Sequence, residues 1–372
     1  MASINRLCIT TGIYPPDTGG PAKFAETFVT WCDTSQVICD CVTLTNSQTH
    51  VLKVNNSEIY LISRNQKLFS RYWRTIVMIS RQMRRGSSIL ANGLFLETLF
   101  ASLITRKTYV CKVPGDIVWE RARNSNKTDL DVDDFQNQRI SWRYQIFRWL
   151  YSKSLTRARK VIVPSTHLYD LCVLWGVKQE NLQLIYNSID TVKFSPRKSV
   201  KKKFDVLVVN RLVPWKHVDE VISVCSQLGL SLAIVGDGPE RPYLEKVALD
   251  SRAKVTFLGE LSQDELPSWI RSADCFVLNS SFEATSYSLL EARASGLFCI
   301  ANGSTGSDEV INHEIDGLLC DKLSFTLIHA LSRFKNDKTF VRKAGSLSML
   351  DARNRFNQST NFRIIKELLL QQ

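Results

Sequence analysis

The sequence predicts an α/β protein with two domains, each built on a doubly wound parallel sheet. Short apolar runs alternate with helical runs along the whole chain, which is the pattern of strand–helix–strand units. With 372 residues, 44% of them hydrophobic, the chain is long enough to bury two cores. A polar, turn-rich segment over 190–204, with Pro196 and a cationic run over 198–203, separates the two halves. We therefore predict domains over 1–190 and 191–355.

Each half has its own series of predicted strands. In the first half they cover 4–10, 37–44, 58–62, 88–91, 108–113, 160–163 and 182–185, with helices such as 21–32 and 68–84 between them. In the second half they cover 204–210, 231–235, 254–258, 275–278, 297–301 and 317–320.

Local signals mark the ends of several predicted helices. Ser262 and Glu265 have the spacing of a capping box, in which each side chain accepts from the other residue's backbone N–H. Gly229 is placed to end a helix in the left-handed conformation. The tail over 356–370 reads as a helix with one apolar stripe, which we expect to pack on another part of the protein; the stripe consists of Ile364, Ile365, Leu368 and Leu369.

Composition excludes several classes of protein. No window approaches the roughly 20 apolar residues of a membrane span. The start, residues 1–6, leads directly into a strand without the features of a secretory signal, so we expect a cytoplasmic protein. The ten cysteines are dispersed in apolar runs without CxxC or HExxH spacing, so no metal site and no cofactor is predicted.

The net charge of +12 is concentrated in the first half. Residues 1–195 hold 25 Lys and Arg against 15 Asp and Glu, whereas residues 196–372 hold 23 against 21. Such a balance indicates an anionic partner, either nucleic acid or an anionic membrane surface.

The densest basic segment covers 64–85 and contains no acid. Its aromatic residues are Phe69, Tyr72 and Trp73. It has two interpretations: a helix lying on a bilayer, or an ordinary surface helix whose aromatic side chains face the core. Its cations are Arg64, Lys67, Arg71, Arg74, Arg81, Arg84 and Arg85.

The first strand lacks the GxGxxG fingerprint of dinucleotide-binding folds. Instead Gly19 and Gly20 precede a helix that begins near Pro21. Proline is favoured at the first helical position, and the free N–H groups of a helix start can bind phosphate. A plain turn is the alternative interpretation.

Two further pairs lie where ligands bind in parallel sheets. Arg211 and Lys216 follow the first strand of the second half, where two cations can hold a diphosphate; the alternative is two surface cations. Glu283 lies in a strand-to-helix loop, and Glu291 lies on an otherwise apolar flank of the following helix. A carboxylate in that place needs polar partners such as sugar hydroxyls.

Taken together, these residues resemble the retaining family 4 glycosyltransferases of the two-Rossmann GT-B type. The resemblance covers nearly the whole chain. Its motifs are Gly19-Gly20, Gly115-Asp116, 186–190, Arg211 with Lys216, 236–239, Glu283 with Glu291, and 316–319.

The resemblance implies two facing domains, with the helix over 356–372 returning to the first, and a role for each motif residue. Arg211 and Lys216 would hold the donor diphosphate, and Glu291 the ribose hydroxyls. Glu283 would hold the donor sugar together with the backbone of the three residues after it. Gly20 would approach the phosphate or the acceptor. Asp116 would face the sugar across the cleft and is the candidate acceptor-side base. The three residues after Glu283 are Ala284, Thr285 and Ser286.

The chain departs from the family pattern at three places. Ala284, Thr285 and Ser286 stand where many members have Gly-Phe-Gly. Val113 and Pro114 stand where many have a histidine, and Asn210 replaces a glycine.

The implied activity is metal-independent transfer of a sugar from a nucleotide-sugar donor to a saccharide or lipid-linked acceptor, with retention of configuration. The enzyme would lie in the cytoplasm, with a possible peripheral contact to anionic membrane and no nucleic-acid partner. Two alternatives remain: a nucleotide-sugar epimerase or phosphorylase on the same fold, and a non-catalytic protein that binds anionic surfaces.

Overall fold

The computed structural model describes residues 6–138, 140–196, 201–303, 306–320 and 324–371. The chain divides into two compact units. The first comprises Met1–Ile185 and Ser359–Gln372, and the second comprises Tyr186–Gln358. Residues 197–200 of the predicted linker, and residues 4 and 5 of the first predicted strand, lie outside the described residues.

The first unit is built on an eight-stranded sheet in the order β3-β4-β2-β1-β5-β6-β7-β8. Its strands are β1 (Arg6–Thr10), β2 (Ile38–Thr45), β3 (His50–Val54), β4 (Ser57–Ser63), β5 (Ser88–Ala91), β6 (Val110–Lys112), β7 (Lys160–Val163) and β8 (Leu182–Leu184). Its helices, apart from one at the C-terminal end, are α1 (Gly20–Thr34), α2 (Leu68–Arg84), α3 (Phe95–Thr105), α4 (Ile117–Asn124), α5 (Val132–Asn137), α6 (Trp142–Arg157) and α7 (Thr166–Leu174).

One edge of this sheet differs from the prediction of a purely parallel sheet. Strand β3, which the sequence analysis did not include, pairs antiparallel with β4. The two strands are joined at Asn55 and Asn56, with Asn55 at φ 53°. Asparagine tolerates this left-handed conformation and so allows a tight hairpin. β3 is largely exposed, which explains why it lacks the apolar pattern that reveals the other strands.

The second unit has a six-stranded sheet in the order β11-β10-β9-β12-β13-β14, and all of its strand pairs are parallel. Its strands are β9 (Phe204–Val209), β10 (Leu232–Val235), β11 (Val255–Gly259), β12 (Ala273–Leu278), β13 (Phe298–Asn302) and β14 (Leu318–Cys320). Its helices are α8 (Val218–Leu228), α9 (Arg241–Asp250), α10 (Leu266–Arg271), α11 (Tyr287–Ala294), α12 (Ser324–Asn336) and α13 (Lys338–Arg355). Apolar clusters cover both faces of this sheet. The predicted class of two parallel-sheet α/β domains is therefore confirmed.

The last helix, α14 (Gln358–Leu370), packs within the first unit. The ring of Phe362 meets the ring of Phe28 edge-on, with 5.1 Å between centroids. One residue of the predicted stripe is wrong, because Ile364 is exposed whereas Phe362 is buried. Phe362, Ile365 and Leu369 follow helical spacing on one face, and Ile364 falls outside that face.

The predicted helix ends are confirmed in the second unit. The hydroxyl of Ser262 accepts from the backbone N–H of Glu265 at 3.3 Å, and the Glu265 carboxylate accepts from the backbone N–H of Ser262 at 3.1 Å. Gly229 ends α8 at φ 67°.

Candidate functional site at the carboxyl ends of β9 and β12

The candidate site lies where the strand order of the second sheet reverses. β9 is hydrogen-bonded to β10 on one side and to β12 on the other. In open parallel sheets, the loops that leave such neighbouring strands diverge and form a ligand crevice at their carboxyl ends. Arg211 and Lys216 follow β9, and Glu283 follows β12.

Lys216 and Glu283 form an ion pair between Nζ and Oε1. Their side chains are 13% and 15% exposed, so water screens the attraction only partly. The structure thus brings together two predicted site residues that lie far apart in the sequence. An ammonium has three N–H donors, so the lysine can still donate to a ligand oxygen while it is paired.

Arg211 is exposed, and its backbone is fixed by the loop that follows β10. Leu212 N donates to Asp237 O at 3.0 Å, and Glu240 N donates to Leu212 O at 3.1 Å. A Cβ at Gly238 would overlap the carbonyl oxygen of Leu212. The glycine therefore allows the two loops to touch and sets the position of the arginine.

The loop over 279–286 is also held by its neighbours. Ser281 N donates to Trp215 O at 3.0 Å, and the Asn187 side-chain amide donates to Thr285 O at 2.9 Å. Gly306 adopts φ +82°, and a Cβ there would overlap the carbonyl oxygens of Glu283 and Ala284. The carboxylate of Glu283 is therefore positioned by contacts from three other segments.

The three residues after Glu283 are buried, and two of their side chains are used within the loop. The Thr285 hydroxyl donates to Ala284 O at 2.9 Å, and the Ser286 hydroxyl accepts from Leu289 N at 3.4 Å as the N-cap of α11. Both hydroxyls are thus engaged within the loop, and the contact of the backbone of these residues with a donor sugar stays a prediction.

Glu291 is buried in α11, one turn after Tyr287. Burial, and secondarily the Glu291 carboxylate, raises the pKa of the Tyr287 hydroxyl. The Tyr287 hydroxyl lies 3.3 Å from Asn187 Oδ1, to which it donates. Glu291 thus lies in the helix that follows the site loop, and its contact with a ribose stays a prediction.

The two remaining predicted site residues belong to the first unit. Gly20 begins α1 after Gly19, which has φ 141° and provides no side-chain cap. Asp116 is buried as the N-cap of α4: Oδ1 accepts from Val118 N at 2.9 Å and from Trp119 N at 3.0 Å. Its Oδ2 accepts from the Gln136 side-chain amide at 2.9 Å. Both oxygens thus have a structural role, and the role of acceptor-side base stays a prediction.

The sequence analysis missed the residues that position this machinery. Gly238 and Asn187 appeared only within the motifs 236–239 and 186–190, without a role of their own, and Gly306 was not singled out. A glycine shortly after the end of a parallel strand was the available signal, because such positions permit close backbone approach.

Lys112, at the end of β6, was also missed. It is buried with its ammonium 4.6 Å from the centroid of the Phe24 ring. Burial lowers its pKa to about 7, because desolvation disfavours the charged form.

The described residues lack two kinds of feature. They contain no group of three or more His, Cys, Asp or Glu side chains that could hold a metal ion. None of the described helices is long and apolar enough to cross a membrane.

Comparison with known proteins assigns the second unit. Residues 189–346 match the model of a family described as "Glycosyl transferases group 1". This segment is therefore similar to the group 1 glycosyl transferases. The resemblance to glycosyltransferases predicted from the motifs is thereby confirmed, and the Arg211, Lys216, Glu283 and Glu291 positions all lie in the matched segment.

The curated proteins to which this chain is similar include two mannosyltransferases. A GDP-mannose-dependent alpha-mannosyltransferase of Corynebacterium glutamicum is 33% identical over 147 residues, which are 37% of this chain and 35% of the relative. A GDP-mannose-dependent alpha-(1-6)-phosphatidylinositol monomannoside mannosyltransferase of Mycobacterium tuberculosis is 31% identical over 165 residues, 38% of this chain and 43% of the relative. The chain thus spans less than half the length of these relatives.

The fold of the whole chain is that of solved GT-B structures. A sucrose-phosphate synthase from Thermosynechococcus elongatus aligns with a TM-score of 0.82 over 98% of both chains, at 17% identity. At this identity the likeness establishes the fold alone, and the predicted GT-B class is confirmed.

Proposed function

We propose that the protein is a hexosyltransferase that moves a sugar from a nucleotide-sugar donor to a saccharide or lipid-linked acceptor. The observation that carries the proposal is the Lys216–Glu283 pair, which lies at the strand reversal of the second sheet, in a segment that matches the group 1 glycosyl transferase family. At this place the cation can bind the diphosphate of a sugar donor while the carboxylate accepts hydrogen bonds from its sugar.

Arg211 and Lys216 would bind the donor diphosphate. The exposed guanidinium of Arg211 offers a fork of donors that matches phosphate oxygens, and Lys216 adds a point charge. As the bond between sugar and diphosphate breaks, negative charge grows on the leaving group. A positioned donor of this kind contributes about 3–4 kcal/mol to the lowering of such a barrier.

Glu283 would accept hydrogen bonds from hydroxyls of the donor sugar, and Glu291 from the ribose. Binding of the diphosphate to Lys216 would leave the Glu283 carboxylate paired and anionic, and therefore a strong acceptor. In the first unit, Gly20 would approach the donor phosphate or the acceptor, and Asp116 remains the candidate acceptor-side base.

We further propose retention of configuration without a metal ion. The bond from the anomeric carbon to the diphosphate oxygen breaks, and the bond to the acceptor oxygen forms on the same face. The acceptor proton passes to the leaving diphosphate, so atoms and charge balance. The two cations supply the positive charge that a divalent metal would otherwise provide.

The acceptor class is supported by charge and by a relative. The first half of the chain is basic, and one relative is named for transfer to phosphatidylinositol monomannoside. A lipid-linked acceptor would place the enzyme at a membrane surface, in agreement with the peripheral contact predicted for α2.

A donor screen tests the proposal. UDP-, GDP- and ADP-sugars are compared for thermal stabilisation, because a ligand of the folded state raises the melting temperature. The matching donor is then incubated with candidate acceptors, and nucleoside diphosphate release and the anomeric configuration of the product are measured. Epimerised donor without acceptor, or sugar phosphate formed only with added phosphate, would identify the alternative enzymes.

Variants then assign the site. We expect Arg211→Ala and Glu291→Ala each to lower kcat/KM about a hundredfold, since each loses a polar contact in the transition state. Arg342→Ala, an exposed arginine of α13, serves as the control and should leave kcat/KM unchanged. Wild-type kinetics and donor affinity in the two site variants would refute the assignment.

A further inference from the structure

The helix α2 exposes an apolar row that the fold of its own unit does not cover. Phe69 is 83% exposed and Trp73 is 55% exposed, and Val77 continues the row at the same helical spacing. The core side of α2 is formed instead by Ile76, Ile79 and other buried residues. The interpretation in which the aromatic side chains of α2 face the core is therefore wrong for Phe69 and Trp73.

The helix α6 exposes a second apolar row, which the sequence analysis did not single out. Trp142 is 65% exposed, Ile146 is 50% exposed and Trp149 is 58% exposed. They lie four and three residues apart and so share one side of the helix. Tyr151 and Leu155 are buried on its core side.

The two rows belong to one layer of helices. Three strand–helix–strand connections advance in the same direction across the sheet: β4–α2–β5, β5–α3–β6 and β6–α6–β7. Because such crossovers are right-handed, their helices lie on the same face of the sheet. α3 lies between the other two: the Thr105 hydroxyl is 3.1 Å from Met83 Sδ of α2, and the Phe95 ring meets the Tyr151 ring of α6 at 5.2 Å between centroids.

The middle helix, α3, also exposes apolar side chains near its C-terminal end. Phe100, Leu103 and Ile104 of α3 are each between 43% and 50% exposed. We call the exposed side chains of these three helices the α2–α3–α6 surface.

The exposed charges on the three helices themselves have one sign. α2 and α6 contain no acidic residue, and the single acid of α3, Glu97, is buried. Arg64 of the basic segment is set apart, because it is paired with Asp17 at 2.6 Å. The exposed cations of the surface are Arg74, Arg81, Arg84, Arg143, Lys153 and Arg157.

Helix dipoles explain only part of this arrangement. Cations in the last turn stabilise a helix C-terminus, which accounts for Arg84 and Arg157. Stabilisation of helix ends does not account for Arg74 and Arg143, nor for exposed tryptophan and isoleucine side chains.

We propose that the α2–α3–α6 surface binds an anionic lipid bilayer. The helices would lie in the membrane plane, with the apolar rows entering the boundary between headgroups and acyl chains and the cations meeting lipid phosphates. Tryptophan is favoured at this depth because its ring is apolar and its N–H is polar. Nucleic acid would use the cations but not Val77, Leu103 or Ile146, and a protein partner would not require a surface without exposed acid.

Vesicle sedimentation tests the proposal without donor or acceptor, so its failure would leave the proposed glycosyl transfer standing. The full chain is mixed with vesicles of phosphatidylcholine alone, or of equal parts phosphatidylcholine and phosphatidylglycerol. We expect binding to the anionic vesicles, weakened by salt because charges are screened beyond about 8 Å at physiological ionic strength. An apolar component should persist at high salt.

Paired variants separate the two components. Trp142→Ser with Trp149→Ser should lower the partition coefficient about tenfold or more through lost apolar burial. Its control is Val192→Ser with Leu249→Ser, two exposed apolar residues of the second unit. Lys153→Glu with Arg157→Glu should remove the preference for anionic vesicles, whereas Arg342→Glu with Lys343→Glu should keep it.

Tryptophan fluorescence measures insertion directly. Lipids brominated on the acyl chain should quench the emission of the wild type, and Trp73→Phe combined with Trp142→Phe and Trp149→Phe should lose that quenching while still binding. The proposal is overturned if the protein stays in solution with anionic vesicles at low salt, or if the serine variant binds like the wild type. It is also overturned if the serine substitutions instead abolish a dimer or the binding of duplex DNA.

Discussion

At the scale of single residues, the sequence predicted the charged groups of the candidate site but not their pairing. Arg211, Lys216 and Glu283 were each assigned from their place after a strand. The sequence did not predict that Lys216 would pair with Glu283, because that contact depends on β9 and β12 being neighbours in the sheet. Strand order is a property of the assembled sheet, so local patterns do not reveal it.

Lys112 offers a prediction about pH. Its pKa is about 7 in the folded protein and about 10.4 in an unfolded chain. Between these values the unfolded state holds a proton that the folded state lacks, so this group makes the protein more stable as pH rises through that window. Below pH 7 the folded protein bears the full free-energy cost of burying Lys112, and above about pH 10.4 that cost is absent.

We therefore expect Lys112→Met to raise the melting temperature by about 3 °C or more near pH 7, with the gain shrinking toward pH 10. Methionine fills a similar volume without the charge. Thermal unfolding is measured between pH 6 and pH 10 for this variant and for Lys343→Met, an exposed control. A gain independent of pH would contradict the assignment.

At the scale of elements, the apolar periodicity of the sequence predicted where a helix lies along the chain better than which face of that helix is buried. The prediction of a helix over 68–84 matches α2, but its orientation stayed open between two interpretations until Phe69 and Trp73 were found exposed. β3 was missed because an exposed edge strand has no buried face and so no alternating apolar pattern.

The loop after β13 provides a prediction about positioning. We expect Gly306→Ala to lower kcat/KM about a hundredfold, because its Cβ would push the backbone of Glu283 and Ala284 out of place. Gly229→Ala is a matched control: it has a positive φ too, but open space around its Cβ. It should lose about 1 kcal/mol of stability and keep its activity. Equal activity losses in both variants would point to strain rather than to positioning.

A buried ion network ties together three elements of the second unit. Arg293, at the end of α11, is fully buried and donates to both carboxylate oxygens of Asp316, at 2.9 and 3.0 Å, and to Asp351 of α13 at 2.8 Å. Burial by itself would raise the pKa of Asp316, but the hydrogen bonds and charge of Arg293 outweigh it and hold that pKa below its usual value.

We expect Arg293→Met to lower the free energy of unfolding by about 3–5 kcal/mol, since it leaves buried carboxylates without their cation. Urea titration measures the loss. Arg333→Met, which removes a more exposed pair with Glu314, should cost much less. Addition of Asp316→Asn to Arg293→Met should recover part of the loss; no recovery would show that packing, not charge, accounts for the effect.

At the scale of the whole molecule, the distribution of acidic and histidine side chains bears on whether the reaction needs a metal ion. The described part of the chain gathers no cluster of metal-ligand side chains, whereas Arg211 and Lys216 can supply positive charge to a leaving diphosphate. We expect activity to persist in excess EDTA and to gain less than about twofold from added Mg²⁺ or Mn²⁺. Activity that disappears in EDTA and returns with either ion would refute metal independence.

By itself, the sequence determined the fold class and predicted the residues of the candidate donor site, because each depends on patterns within one strand, one helix or one loop. The alternation of apolar runs predicted the sheets. Arg211, Lys216 and Glu283 were predicted as charged residues that follow strands, and Glu291 as a carboxylate on an apolar helix flank. Only the tertiary structure decided which of these side chains meet, and which apolar side chains remain outside the core. The Lys216–Glu283 pair and the close approach at Gly306 require strands distant in sequence to lie side by side. The exposure of Trp73 and Trp149 depends on how far each helix rotates as it packs on the sheet, and that rotation is set by contacts with neighbouring helices rather than by the helix's own residues.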